Sequence, residues 1–262
     1  MKEKKIIKFN LYMSCVLLLA FVCMLVATTV AYFSDTKKVT NTFTSGNVRL
    51  VLSEAAVKPD GNGNLVEDPD SLRIYGSDDT VHNYGSVFPG QSIYKDPTIR
   101  NTGDDAEWIA AKVTITDGAG DLTRIMGYEG YEDIDIEVLL SGGLLDETVH
   151  VGEWNGMEDV CYNDNYAMIQ IANPAESKFE FFFLMLEPVN PGIENSVVLF
   201  DHIIFPGEWD SQDMQNLADL KIQIEAFGVQ TYQLDSCLVA MTEAFPDHFP
   251  FEEYISNNDN NV

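Results

Sequence analysis

The sequence contains four histidines, the residue type most often found in zinc sites and as a general base. They are His82, His150, His202 and His248. A zinc peptidase commonly carries two histidines one helical turn apart with a carboxylate base, as in H-E-x-x-H. No two of these histidines lie close together in the sequence, and none stands in that motif. The chain also lacks a G-x-S-x-G elbow and a glycine-rich phosphate loop, so the sequence identifies no catalytic residue.

Oxygen-bearing side chains recur in one glycine-rich stretch, where Asp60, Asn62 and Asn64 take positions 1, 3 and 5 of a calcium loop. The match ends there, because Leu65 stands where the loop needs glycine and Ser71 stands where it needs glutamate. Asp-Gly-Asn-Gly is also an ordinary hairpin turn. Calcium at these three residues is the one metal or cofactor prediction that the sequence offers, and a plain turn is the alternative.

Two cysteines lie outside the apolar N-terminal run, Cys161 and Cys237. Both have apolar sequence neighbours, and neither has the basic or helix-start setting that would activate a thiol. In an exported protein they are expected either to form one disulfide or to remain two buried thiols.

The chain opens with a segment of the kind that directs export. Four lysines among the first eight residues precede an apolar run over residues 11–31. Thr29 and Ala31 fit the −3 and −1 positions of a signal-peptidase site, so cleavage before Tyr32 is predicted. The alternative is an uncleaved anchor, because about 20 apolar residues can span a bilayer. Membrane contact is predicted only through this segment.

The chain as a whole is strongly acidic. Its 262 residues include 15 Lys or Arg and 42 Asp or Glu, for a formal net charge of −27. A surface of this charge repels nucleic acid and anionic membranes, so the sequence predicts no nucleic-acid partner. It suits divalent cations, a cationic partner, or simple solubility outside the cell.

Alternation of apolar and polar residues predicts strands along most of the chain. The clearest are residues 47–53, 107–117 and 219–232, each with apolar side chains on one face. Residues 178–186 become apolar on both faces, which indicates a central strand covered on each side or an edge that faces a partner. Further strands are predicted at 80–88, 92–100, 134–140, 149–154, 159–171 and 196–205.

Turn signals connect these strands. A turn at 101–104 is predicted to join 92–100 and 107–117 into a hairpin, and residues 58–71 are predicted to be loop. The tripeptide Phe-Pro-Gly occurs at 88–90 and again at 205–207, each time after a predicted strand. Its two occurrences suggest that the domain consists of two halves with Greek-key connections.

Few helices are predicted. One covers residues 121–131, and a second covers residues 235–245 with Asp235 as its N-cap. Many short strands with one or two short helices predict an all-β protein, and more specifically a two-sheet jelly-roll sandwich.

Four stretches together resemble the TasA/camelysin family of exported Gram-positive proteins. They are AYFSDT…NTFTSGNVRLVLSE at 31–54, VFPGQSIYKDPTIRNTGDDAEWIAAKVTI at 87–115, LFDHIIFPGEWD at 199–210 and DLKIQIEAFGVQTYQLD at 219–235. The resemblance implies a jelly-roll domain and a signal removed by a SipW-type signal peptidase. It also implies secretion to the extracellular matrix or to the surface of a Gram-positive cell.

For some members the resemblance implies assembly into biofilm-matrix fibres. In such fibres the segment after the cleavage site leaves its own domain and adds as a strand to the next subunit; here that segment is residues 32–44. Phe33, Val39 and Phe43 share one parity in it and would fill successive apolar pockets. The expected partners are further copies of the chain or other matrix proteins. The alternatives are that residues 32–44 fold back onto their own domain or form a disordered leader.

The predicted organisation follows from these segments. It comprises a signal peptide at 1–31, a possible donor strand at 32–44, a jelly-roll domain at 45–249 with insertions near 58–84 and 122–194, and a polar tail at 250–262.

Three functional hypotheses result. The leading one is a secreted structural protein of the cell surface or biofilm matrix, non-enzymatic, that assembles by strand addition. The second is a camelysin-type metalloendopeptidase, which rests on the resemblance alone. The third is a surface module that binds calcium or a glycan, the latter by stacking on Trp108, Trp154 and Trp209. Packing in the core or at its rim is the alternative for these three tryptophans.

Overall fold

A computed structural model of the chain describes residues 34–37, 48–76, 87–117, 136–209 and 220–255. These residues are mostly β, with three sheets and few helices, which confirms the predicted class at that level. Among the described residues, no helix is both long enough and apolar enough to cross a membrane.

Sixteen strands are present in the described residues. They are β1 (Ser34–Lys37), β2 (Leu50–Glu54), β3 (Val57–Pro59), β4 (Leu65–Glu67), β5 (Ile74–Tyr75), β6 (Ser92–Tyr94), β7 (Thr98–Asn101), β8 (Glu107–Thr116), β9 (Leu140–Ser141), β10 (His150–Trp154), β11 (Met157–Tyr162), β12 (Tyr166–Asn173), β13 (Lys178–Met185), β14 (Val197–Val198), β15 (His202–Ile204) and β16 (Lys221–Gln230).

The helical elements of the described ranges are short. Two are α-helices, α1 (Cys237–Ala244) and α2 (Glu252–Ile255), and the others are 3-10 turns at Ile136–Val138, Gly143–Asp146, Pro174–Glu176 and Ile193–Asn195. The first α-helix begins after Ser236, whose hydroxyl accepts a hydrogen bond from the Val239 N–H at 3.3 Å. The N-cap is therefore Ser236, and the prediction of Asp235 is wrong by one residue.

One large sheet organises the fold. Its seven strands run in the order β1-β16-β8-β13-β12-β11-β10, and the pairs are antiparallel throughout. A four-stranded sheet has the order β14-β7-β2-β5, and a five-stranded sheet has the order β3-β4-β6-β15-β9. Residues 122–194, predicted to be an insertion, supply β10 to β13 and thus four strands of the large sheet.

The central strand β13 is covered on both faces, as its sequence predicted. Phe181 and Phe183 belong to an inner core that also includes Leu50 and Ile99 of the four-stranded sheet and Ile93 of the five-stranded sheet. Alternate side chains on β13 belong to a second, helix-side core, in which Phe182 and Leu184 pack with Leu238 and Met241 of α1. Because β12 and β8 pair with its two edges, the alternative of a partner-facing edge is wrong for this strand.

The two Phe-Pro-Gly tripeptides lie side by side at one end of the five-stranded sheet. The Gly90 N–H donates to the Phe205 carbonyl at 2.7 Å, and the Phe205 N–H donates to the Gln91 carbonyl at 2.9 Å. A Cβ placed on Gly90 would lie 3.8 Å from the Cα of Gly207. The sequence repeat therefore corresponds to two neighbouring turns, which pair β6 with β15.

The prediction that residues 58–71 are loop is wrong, because β3 and β4 form a hairpin within them. Val57 pairs with Glu67, and Pro59 pairs with Leu65. Leu65 also pairs in parallel with Ile93 of β6 and packs against the inner core. Strands of three residues are too short for alternation to reveal them.

The predicted hairpin between residues 92–100 and 107–117 is also wrong, because β7 and β8 lie in different sheets. One edge of β8 pairs with β16 from Glu107 to Thr116, and the other edge pairs with β13 from Ala110 to Thr116. At the crossing between sheets, Glu107 exchanges backbone hydrogen bonds with Val189, and the buried Asn101 side chain donates to the Val189 carbonyl at 2.9 Å.

Two other strand predictions fail in part. Residues 134–140 were expected to be extended, but Ile136–Val138 forms a 3-10 turn closed by the Leu139 N–H on the Ile136 carbonyl at 3.2 Å. The predicted strand at 159–171 is two strands, because the Asn163 side chain accepts from the Tyr166 N–H at 3.0 Å and turns the chain. Most of the predicted strand at 80–88 and the whole predicted helix at 121–131 lie outside the described residues.

A cluster of charged side chains lies on the helix side of the large sheet. Glu180 on β13 accepts from Lys112 on β8 at 2.5 Å and from Lys178 at 3.0 Å. Burial raises the pKa of Glu180, but the hydrogen bonds and charges of the two lysines outweigh it, so the net pKa lies below the ordinary glutamate value.

Because its folded-state pKa is lowered, Glu180 is expected to stabilise the fold above the unfolded-state pKa of glutamate and to lose that contribution as the pH falls. Glu180→Gln should therefore lower the free energy of unfolding by about 1.5–3 kcal/mol at pH 7. Urea denaturation of both proteins between pH 7 and pH 3 tests this. The difference in free energy of unfolding between the two proteins should shrink as the pH falls. A difference that grows toward acidic pH would contradict the role assigned to Glu180.

Candidate functional site at the outer edge of the large sheet

The residues predicted for cleavage and assembly lie outside the described residues. They are Thr29, Ala31, Tyr32, Phe33, Val39 and Phe43. Four residues of the predicted donor segment are described, and they form β1.

The predicted calcium ligands form the turn between β3 and β4. The Asp60 carboxylate accepts from the Asn62 N–H at 2.6 Å, the Asn64 N–H at 3.1 Å and the Asn64 side-chain amide at 3.0 Å. The Asn64 side-chain oxygen accepts from the Ser92 N–H at 3.0 Å. Hydrogen bonds from the Asn64 side chain and the Asn62 backbone lower the pKa of Asp60. These hydrogen bonds are those of a hairpin turn, and they account for the Asp and Asn residues at these positions. Calcium binding stays a prediction.

Three histidines are described, and they lie in different parts of the fold. His150 is exposed on β10, with its ring 6.1 Å from that of Tyr162. His202 on β15 pairs with Asp201, and the His248 ring lies 5.2 Å from that of Phe227. Within the described part of the chain, no three His, Cys, Asp or Glu side chains group closely enough to hold a metal ion.

The two cysteines lie in different cores and are not bonded to each other. Cys161 packs partly against the inner core, and Cys237 is buried in the helix-side core. The Cys237 thiol donates to the Ile109 carbonyl at 3.3 Å, and burial raises its pKa. The large sheet separates them, so they do not form a disulfide.

The tryptophans are also divided between the two sides of the large sheet. Trp108 is 7% exposed, and its indole N–H donates to the Leu234 carbonyl at 3.2 Å. Trp154 packs on the same side, whereas Trp209 packs on the inner core with its ring 6.3 Å from that of Phe205. The three therefore do not form one stacking platform.

The N-terminal strand forms one edge of the large sheet. β1 pairs antiparallel with β16, and its register places Ser34 opposite Val229 and Lys37 opposite Ala226. All ten residues of β16 pair on the other side with β8. A short outer strand thus covers the edge of a long, firmly held one, and its hydrogen bonds are main-chain bonds that any extended segment of suitable register can supply.

Side chains from other elements pack closely on the β16 backbone opposite β1. Gly228 pairs with Asp35, and a Cβ at Gly228 would lie 2.9 Å from Leu50 Cδ1 and 3.2 Å from Glu107 Oε2. Leu50 is fully buried and Glu107 is 2% exposed. The missing side chain at position 228 is what lets Leu50 and Glu107 approach the sheet.

One residue of this site carried a signal that could be recognised in the sequence. A glycine inside an alternating strand often marks a close approach of another group to the backbone, and Gly228 is such a residue. The role of Glu107 carried no local signal, because its partner Arg49 is 58 residues away.

Gly228→Ala is expected to destabilise the protein by about 1–3 kcal/mol, because the new methyl group forces Leu50 or Glu107 to shift. Thermal or urea unfolding measures the change. In a Leu50→Ala background the same substitution should cost clearly less, since the contact is gone. An equal cost in both backgrounds would contradict this account of Gly228.

Comparisons with protein-family models, with curated proteins and with solved structures find no match to this chain.

Proposed function

We propose that this chain is an exported structural protein of the extracellular matrix or cell surface, whose copies assemble by exchange of the N-terminal strand. The observation that carries the proposal is the position of β1. It follows the predicted export signal directly in the sequence, and it lies at the outer edge of the large sheet. A strand in that place is the one most easily donated to another copy.

The energetics favour exchange over simple loss of the strand. Removing β1 would leave the backbone of Ala226, Phe227, Gly228 and Val229 at an open sheet edge, which is a site for pairing with another chain. A β1 strand from a second copy restores the same hydrogen bonds, so exchange has little enthalpic cost. The fraction of exchanged protein rises with protein concentration. Phe33, Val39 and Phe43 would add side-chain contacts that fix the register of the donated strand.

The resemblance to the TasA/camelysin family supports the same proposal. The resembling stretches contain β1, β2, β6, β7, β8, β15 and β16, which include the donated strand, its acceptor and their neighbours. We infer with it that the three sheets are an elaborated jelly-roll sandwich. We also infer that a SipW-type signal peptidase frees Tyr32 in a Gram-positive host.

The test is to express the full-length chain in a Gram-positive host and to recover it as the cell processes it. The N-terminal sequence should begin at Tyr32, the native mass should greatly exceed that of a monomer, and electron microscopy should show fibres. A deletion of residues 32–44 should abolish the fibres.

A pair of triple variants makes the test specific. Serine at Phe33, Val39 and Phe43 should abolish assembly, whereas serine at Thr36, Thr40 and Thr42, on the other parity, should leave it unchanged. A correctly processed protein that remains monomeric at high concentration would refute the proposal.

A further inference from the structure

The exchange of β1 needs a fixed point at which the departing segment stops. Residues 38–47 connect β1, in the large sheet, to β2, in the four-stranded sheet. A segment that peeled away further would take β2 with it and expose Leu50 and Leu52, which are 0% and 9% exposed. The start of β2 is therefore where a stop is required.

The backbone of Arg49 is held from both sides at that point. Its N–H donates to Glu107 Oε1 at 3.0 Å. Its carbonyl accepts from the Thr102 N–H at 2.7 Å and from the Thr102 hydroxyl at 3.2 Å. The Arg49 residue itself is exposed, so these contacts hold its main chain and not its side chain.

The groups that hold Arg49 are themselves rigidly placed. Glu107 is 2% exposed and its backbone exchanges hydrogen bonds with Val189. Asn101 is 1% exposed, and its side chain donates to the Asp105 carbonyl at 2.8 Å and accepts from the Gly103 N–H at 2.8 Å. A buried carboxylate oxygen that accepts a backbone N–H forms one of the stronger hydrogen bonds in proteins.

We propose that Thr102 and Glu107 act as a hinge clamp on Arg49, so that only the residues before Arg49 leave the domain when the N-terminal strand is exchanged. This inference rests on the proposed function and adds to it the boundary of the exchanged segment. Thr102 and Glu107 are positioning residues for assembly, and β2 stays in the copy that donates β1.

Two cysteine pairs measure the boundary in assembled protein. Directly opposed residues of antiparallel strands have Cα separations that a disulfide can bridge. Ser34→Cys with Val229→Cys reports on β1, and Val51→Cys with Arg100→Cys reports on β2, because both pairs are opposed in register. Single-cysteine variants control for the native Cys161 and Cys237.

Oxidised assemblies are then run on denaturing gels without reductant. The inference predicts that the 34/229 disulfide joins different copies while the 51/100 disulfide stays within one copy. If both join different copies, the clamp is refuted and strand exchange survives. If both stay within one copy, strand exchange is refuted, and the clamp inference falls with it.

Variants of the clamp test its residues directly. Thr102→Val with Glu107→Ala should move a measurable share of the 51/100 disulfide to between copies. Hydrogen exchange at the Arg49 amide should become about tenfold faster, as expected when a hydrogen bond to a charged group is lost. Thr102→Val alone is the milder variant, and it should show the same change to a smaller extent. Unchanged cross-linking in both variants, with the fold intact, would refute the clamp.

Discussion

Arg73→Met is expected to lower the free energy of unfolding by about 3–5 kcal/mol, because it leaves the buried Asp96 carboxylate without the cation that pairs with it. The Arg73 guanidinium donates to Asp96 at 2.8 Å and to the Thr98 hydroxyl at 2.8 Å, and it also reaches the Ser53 hydroxyl at 3.2 Å. The Asp96 side chain is only 7% exposed. Arg73 directly precedes β5, so its side chain links that strand to Ser53 of β2 and Thr98 of β7.

Urea denaturation monitored by circular dichroism measures the loss. The matched control is Lys58→Met, because Lys58 pairs with Asp68 at 2.9 Å in an exposed setting, and the loss of this pair should lower the free energy of unfolding far less. Adding Asp96→Asn to Arg73→Met should recover part of the loss, since the buried charge is then gone. If Arg73→Met costs no more than Lys58→Met, the network does not have the role assigned to it.

Phe182→Ala is expected to cost about 3–5 kcal/mol, because the large cavity it creates lies between the central strand and the C-terminal segment. Phe182 is 1% exposed, and its ring centroid lies 5.6 Å from that of Phe249 and 5.2 Å from that of Phe251. Lys112 also lies over this ring, with its nitrogen 5.3 Å from the centroid. The substitution therefore tests whether the helix-side layer is an integral part of the fold.

Thermal unfolding compared with Tyr232→Ala provides the control. Tyr232 is 71% exposed, so its removal should change the stability by no more than about 0.5 kcal/mol. Limited proteolysis should also release the C-terminal segment earlier in Phe182→Ala than in the unmodified chain. Equal stability of the two variants would mean that α1 and the Phe249–Phe251 segment contribute little to the core.

Long alternating segments were predictable because side chains in a strand repeat every two residues. β8, β13 and β16 lie where the pattern placed them, and β13 carries apolar side chains on both faces because a core covers each face. Short strands escaped prediction, as β3 and β4 show, because three residues cannot display a period of two.

The sequence predicted where strands lie better than it predicted which strands pair with each other. A turn at 101–104 predicts a hairpin locally, but β8 already has β13 and β16 on its two edges, so β7 joins another sheet. That outcome depends on strands 70 or more residues further along the chain, which no local signal reports. The cap of α1 shows the same limit on a small scale, because Asp235 and Ser236 are equally good caps by type and only the backbone geometry selects Ser236.

By itself, the sequence determined the β-rich class and the positions of the long strands, and it showed that β13 is apolar on both faces. These follow from composition and from periodicity, which act through neighbouring residues. Only the tertiary structure decided that β1 lies on β16, that Gly228 admits Leu50 and Glu107, and that Arg49 is held by Thr102 and Glu107. These contacts join residues 50 or more positions apart, mostly through main-chain groups that every residue carries, so the order of side chains along the chain does not encode them directly.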